Sequence, residues 1–176
     1  GVVLEAAGDG SSTETLTVTR DSTAPTTTDN TGSLPAPEAS GWYLTGQTVT
    51  LSPSDGGSGV SATHYTTNGS TPTTGSASGT SVVLGDGQHT IKYLSVDNVG
   101  NEAGVTTAGT IVKVDTIDPA NAISRVAVSG NSFLNGTNVF YRGAVAGSFN
   151  LSNAVSDATS GPAESAFPAL GGTTTG

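Results

Sequence analysis

The sequence predicts an all-β protein made of antiparallel β-sandwich units in tandem, and three observations predict it. Apolar and polar residues alternate in short runs such as Gln47-Thr48-Val49-Thr50-Leu51-Ser52. That is the period of a half-buried strand, and nowhere does the 3.6-residue period of a helix appear. Turn formers interrupt these runs every 8–12 residues or so, giving about seven strands in roughly 100 residues, the size of a small sandwich. A junction phrase also occurs twice: Val18-Thr19-Arg20-Asp21-Ser22-Thr23-Ala24-Pro25 and Val112-Lys113-Val114-Asp115-Thr116-Ile117-Asp118-Pro119, with the Asp residues 115 − 21 = 94 positions apart. Ser54-Asp55-Gly56-Gly57-Ser58-Gly59 is echoed by Ser156-Asp157-Ala158-Thr159-Ser160-Gly161 at an offset of 157 − 55 = 102. Two features recurring at nearly one period signal a tandem array. Residues 1–20 then supply the last strand or strands of a preceding unit, 21–116 form a complete unit, and 117–176 begin the next.

The elements follow in order. Leu16–Thr19 alternates and is expected to close the preceding unit. Pro25, Pro35 and Pro37 restrict the stretch from Asp21 to Pro37 to an edge strand or linker, because proline cannot donate to a ladder. Trp42 is expected to cover one end of the core, and the strand from Gln47 to Ser52 to turn Val49 and Leu51 inward. A Gly-rich loop at 55–59 precedes a strand from Val60 to Thr67, closed by Asn68-Gly69, a pair that tolerates positive φ at both turn positions. Ser81–Leu84 is short, His89–Val96 is expected to be the longest strand, and Thr107–Val114 ends the unit. Ser124–Val128 and Asn138–Val155 belong to the following one.

Composition excludes several functions. Net charge is −9 with 14 acidic against 5 basic residues, so no Lys/Arg cluster exists to neutralise phosphates and nucleic acid is not expected as a partner. The same charge disfavours an anionic membrane surface. No apolar run nears the roughly 18 residues of a spanning helix, so no membrane insertion is expected. Ser and Thr make up about three residues in ten, and cysteine is absent, which rules out disulfide stapling. His64 and His89 lie in no nucleophile or metal motif, and there is no Gly-x-Ser-x-Gly elbow, so an enzyme is not expected. His89, at a strand start, is read as a corner residue whose ring bonds the backbone. Lys92 and Lys113 are read as solvated rather than as partners in a covalent crosslink.

Tyr65-Thr66-Thr67-Asn68-Gly69-Ser70-Thr71-Pro72 resembles the turn signature of bacterial immunoglobulin-like repeats related to the C-terminal domains of chitobiases. Asp21-Ser22-Thr23-Ala24-Pro25, Ser54–Val60 and Val96-Asp97-Asn98-Val99-Gly100-Asn101 resemble motifs of repeats in large secreted or surface proteins. The resemblance covers about residues 21–119, and 119–170 more loosely. It implies immunoglobulin-like domains at the cell surface or outside the cell, serving as a spacer in a stalk, adhesin or filament. The partners it implies are neighbouring domains of the same chain or other copies of the filament. The alternative it implies is a carbohydrate-binding accessory module of a secreted glycoside hydrolase. Trp42, Tyr43, Tyr65 and Tyr93 are the aromatic candidates for glycans, although Tyr65 and Tyr93 alternate as core residues do.

A sandwich of this topology brings its incoming linker and two loops together at one pole. For the complete unit those elements carry Asp21, Asp55, Asp97, Asn101 and Glu102; for the next they carry Asp115, Asp118 and Asp157. Clustered carboxylates and amides on Gly-containing loops suit Ca2+, which takes six to eight oxygens. The competing reading is that each Asp or Asn caps its own turn.

Overall fold

The computed structural model describes residues 17–135, 138–142, 144, 145 and 147–165. In chain order the strands are Thr26–Asp29 (β1), Gln47–Ser54 (β2), Val60–Thr66 (β3), Ala77–Ser78 (β4), Ser81–Leu84 (β5), Gly87–His89 (β6), Lys92–Asp97 (β7), Thr106–Thr107 (β8), Val112–Val114 (β9), Ala120–Gly130 (β10), Ser132–Asn135 (β11), Asn138–Tyr141 (β12) and Gly147–Ser156 (β13). The fold is nearly all β, as the alternation predicts.

Two sheets face each other across residues 26–114, in the orders β1-β2-β5 and β4-β3-β7-β8, with a β6-β9 ladder beside them. Strict alternation sends Val49 and Leu51 of β2, Val82 and Leu84 of β5, and Val112 and Val114 of β9 into one core with Ile91 and Tyr93, each at most 3% exposed. Burying each such side chain stabilises the fold by about 1.5–3 kcal/mol. Polar groups cross the same interior. Ser95 Oγ lies 2.7 Å from Thr27 Oγ1 and 2.8 Å from Thr63 Oγ1, and the Tyr93 hydroxyl donates to Asp29 Oδ2 at 3.0 Å. These bonds tie the edge strand β1 to the opposite sheet through β7.

Two sequence expectations need correction. The stretch from His89 to Val96 is two strands: β6 pairs with β9 while β7 pairs with β3. The break falls at Thr90-Ile91, where Ile91 turns into the core and its carbonyl accepts from Ala108 N–H. At Asn68-Gly69 only Gly69 takes a positive φ, +78°, since Asn68 Oδ1 is engaged by the Ser70 N–H and hydroxyl. Of the expected strand Leu16–Thr19, Leu16 lies outside the described residues, and Thr17–Thr19 join no described ladder.

Beyond Asp115 the long strands β10 and β13 pair antiparallel, and β11 and β12 form a hairpin between them. The register repeats an earlier one. Thr26 faces Ser54 where β1 meets β2, and Ala120 faces Ser156 where β10 meets β13. Those positions stand at the two offsets read from the sequence, 120 − 26 = 94 and 156 − 54 = 102.

Candidate junction site

The first junction is built on Asp21, which sits just before Pro25 and β1. Its Oδ1 accepts from Thr23 N–H at 3.1 Å, closing a local turn, and its Oδ2 accepts from Ser58 N–H at 2.5 Å in the Gly-rich loop after β2. The carboxylate lies flat against Gly57, where any Cβ would fall inside the Asp21 side chain, so the loop sequence makes room for it. Asp55 closes that loop from within: its Oδ2 accepts from Gly57 N–H at 3.1 Å and Gly59 N–H at 2.7 Å. Gly59 holds φ +83°, a conformation that favours glycine.

The turn after β7 completes the pole. Asp97, 2% exposed, accepts from Val99 N–H at 3.0 Å and Asn101 N–H at 2.7 Å through Oδ1, and from Asn101 Nδ2 at 2.6 Å through Oδ2. Asn101 Nδ2 also reaches the Asp21 carbonyl at 3.5 Å, and Asn98 Nδ2 donates to the carbonyls of Ser58 and Gly59. Asp21, Asp55 and Asp97 each offer a carboxylate oxygen, all within 4.8 Å of one another. Asp55 Oδ1 is enclosed and accepts no hydrogen bond. Of the other residues expected here, Asn101 joins through the bonds above, whereas Glu102 is exposed, facing Val96 in a single bridge, and lies outside the carboxylate group.

The second junction repeats the scheme. Asp115 Oδ1 accepts from Ile117 N–H at 3.1 Å, and its Oδ2 accepts from Ser160 N–H at 3.0 Å. Asp157 Oδ1 takes the N–H groups of Thr159, Ser160 and Gly161, and Gly161 holds φ +79°. Asp118 is exposed on the rim of the crevice these residues line. Sequence reasoning missed Asp86, whose Oδ1 accepts from both Thr116 N–H at 2.7 Å and Thr116 Oγ1 at 2.8 Å and so fastens this junction to the turn before β6. The Asp86-Gly87 dipeptide is the signal that marks it.

Hydrogen bonding sets the charge state of both junctions. The N–H groups of Ser58 and Thr23 hold the Asp21 carboxyl below its ordinary value, and the Ser160 side chain does the same for Asp115. Burial pushes Asp97 up, but donation from Asn101 and Val99 outweighs it, leaving the net shift downward. Asp21, Asp97 and Asp115 are therefore anionic at neutral pH.

The remaining candidates take structural positions. His89 Nε2 lies 2.8 Å from Gly85 O, and His64 Nδ1 lies 3.2 Å from Ser76 O. Tyr93 is in the core, and Tyr43 and Tyr65 pack against it. Tyr43, rather than Trp42, closes the core end, since its backbone bridges to Val114 while Trp42 stays half-buried with Lys113 Nζ 5.8 Å from its ring centroid. Lys92 is likewise half-buried rather than fully solvated.

The two-sheet architecture, with its edge strand tied across to the opposite sheet, defines an immunoglobulin-like β-sandwich. Residues 38–107 match the family model of the chitobiase/beta-hexosaminidase C-terminal domain, an immunoglobulin-like fold. That family is a non-catalytic accessory domain, typical of secreted glycoside hydrolases. The matched stretch runs from before β2 to β8 and includes Asp55 and Asp97 but neither Asp21 nor Asp115. No curated protein and no solved structure matches the chain. Among the described residues no helix is long and apolar enough to cross a membrane.

Proposed function

We propose that this chain is a spacer segment of an extracellular stalk or surface filament, in which immunoglobulin-like units follow one another and hold a functional domain at a distance. The observation that carries the reading is the recurrence of one junction: Asp21 on Ser58 N–H and Asp115 on Ser160 N–H, each beside a positive-φ glycine. On this reading residues 1–20, 21–116 and 117–176 belong to three successive units. Units that meet only through such junctions form an extended, quasi-one-dimensional object. Small-angle scattering tests it. A single compact domain of this length has a radius of gyration of about 16 Å. An elongated pair-distance profile with a larger radius is expected, and a symmetric profile near that compact value contradicts the spacer.

A second reading, glycan binding as an accessory module, is supported by the family match and by the half-exposed Trp42 beside Lys113. Titration with chitin oligomers followed by Trp42 fluorescence separates the two. The spacer leaves the emission unchanged, and the accessory module shifts it.

Calcium at the first junction is proposed as part of the spacer reading, with Asp21, Asp55 and Asp97 as ligands. The enclosed Asp55 Oδ1, which no donor satisfies, favours it over simple turn capping. Addition of millimolar Ca2+ to chelator-treated protein is expected to raise the melting temperature, with Asp55→Ala abolishing the rise. An unchanged melting temperature contradicts calcium binding and leaves the spacer reading standing.

A further inference from the structure

Of the 8 prolines in the chain only Pro119 follows an aspartate, and the Asp118-Pro119 bond lies in the connector between β9 and β10. The bond at the equivalent place before β1 is Ala24-Pro25, so the two junctions share a hydrogen-bond scheme but not this dipeptide. Residues 115–119 belong to no strand, and Thr116, Ile117, Asp118 and Pro119 are all exposed. Asp86, Asp115 and Asp157 around them each accept backbone N–H groups. The Asp118 carboxylate, by contrast, has no hydrogen bond or ion pair among the described residues. Proline biases the residue before it toward extended backbone. Nothing then holds the Asp118 side chain away from its own carbonyl carbon. Asp115 and Asp157 line one crevice of about 240 Å³ with Asp118 and Pro119, so two further carboxylates stand beside the bond.

We propose that the second junction is a self-cleavage site in mild acid, where the Asp118 carboxylate cuts the Asp118-Pro119 bond and the folded crevice speeds the cut. A carboxylate oxygen of Asp118 forms a bond to the carbonyl carbon of the same residue, closing a cyclic anhydride. The bond from that carbon to the Pro119 nitrogen breaks, and the nitrogen keeps the electron pair and takes a proton from the acidic solvent. Water then opens the anhydride, leaving two carboxyl groups on Asp118 and a free amino terminus on Pro119. One water is consumed and nothing is oxidised or reduced. Nucleophile and target sit on one residue, so no second molecule has to be oriented. Positive charge develops on the departing nitrogen, and the fixed carboxylates of Asp115 and Asp157 stabilise it. The cut separates the sandwich of residues 26–114 from β10 and the strands after it. It stands apart from the spacer reading, which scattering tests on the uncut chain.

The test incubates the full chain at about pH 4, near the ordinary carboxylate value, and follows intact mass with time. Circular dichroism in the same buffer reports that the chain is folded, and a parallel sample in urea reports the unfolded rate. Fragments 1–118 and 119–176 are expected as the dominant products, formed roughly tenfold faster from folded than from unfolded chain. Asp118→Ala and Pro119→Ala sit at exposed positions and should leave the fold intact. Asp118→Ala should slow the cut at least about a hundredfold, since the nucleophile is gone. Pro119→Ala should slow it too, by removing the proline leaving group. Asp157→Asn keeps an acceptor oxygen for the loop N–H groups but loses the charge. It should slow cleavage of the folded chain and leave the rate in urea unchanged. An uncut chain, dominant cuts elsewhere, or a cut indifferent to Asp118→Ala overturns the self-cleavage site. Equal rates folded and in urea also overturn it, because the lability then belongs to the dipeptide and not to the junction.

Discussion

The junctions at Asp21 and Asp115 use one hydrogen-bond scheme on two different loop sequences. Both place an Asp carboxylate on the N–H of a serine, and both follow that serine with a glycine near φ +80°. They differ at the residue before the serine. Gly57 lets Asp21 lie flat on the loop and approach Ser58 N–H to 2.5 Å, while Thr159 stands at the equivalent place and Asp115 meets Ser160 N–H at 3.0 Å. Backbone donors therefore make both joints, and at the first the missing Cβ of Gly57 leaves room for Asp21. The second difference concerns cover. Val49 and Leu51 of β2 are sealed, whereas Ile123 of β10 is 65% exposed and Phe149 of β13 is 40% exposed.

The largest expected effect comes from that contrast in cover. Leu51→Ala should cost about 2–5 kcal/mol in urea denaturation, as fully buried leucines do. Leu151→Ala, at a half-buried position of β13, should cost less than about 1.5 kcal/mol. Equal costs would mean that β13 is sealed as β2 is.

A smaller effect separates the joints themselves. Gly57→Ala should drive Asp21 off the loop and lower the melting temperature, whereas Thr159→Ala should stay within about 0.5 kcal/mol of the parent. Indistinguishable melting curves for the two variants would remove the volume argument.

Acid should loosen both joints together. Asp21, Asp97 and Asp115 all titrate lower folded than the ordinary value of 3.8. The unfolded chain thus binds protons first as pH falls, so their stabilisation is fully present above that value and is lost as pH drops through the folded pKa values. Tyr93 works at the other end of the scale. Burial and the Asp29 carboxylate push it up from 10.0 to about 12, so its contribution holds below the lower value and disappears as pH rises toward the upper one. Acid and alkaline denaturation curves check both signs, and Asp115→Asn should flatten only part of the acid limb.

The smallest effect is at the edge of the core. Lys113→Ala removes the cation over Trp42 and should cost about 0.5–1 kcal/mol, with a change in indole emission.

Much of this was legible in the sequence. Strict alternation marked Val49 and Leu51 as core, and the spacing of two short phrases marked where Asp21 and Asp115 each take a serine N–H. What escaped was set by tertiary contacts. The run from His89 to Val96 alternates well enough to read as one strand, and only Ile91 turning into the core divides it between two ladders. Trp42, expected over the end of the core, gives way to Tyr43, which the backbone bridge to Val114 fixes inward. Asp86 carries no motif beyond a turn dipeptide, and its role appears only when Thr116 is brought to it across 30 positions of chain.

The measurement that bears most directly on the repeated junction is amide NMR of Ser58 and Ser160 as pH is lowered. Both N–H groups donate to an Asp carboxylate, so both resonances should move together with midpoints below 3.8, and both should exchange slowly with solvent at neutral pH. Asp21→Ala should release Ser58 alone, and Asp115→Ala should release Ser160 alone. A Ser160 amide that exchanges like an open loop and ignores Asp115→Ala would contradict the recurrence on which the spacer reading stands.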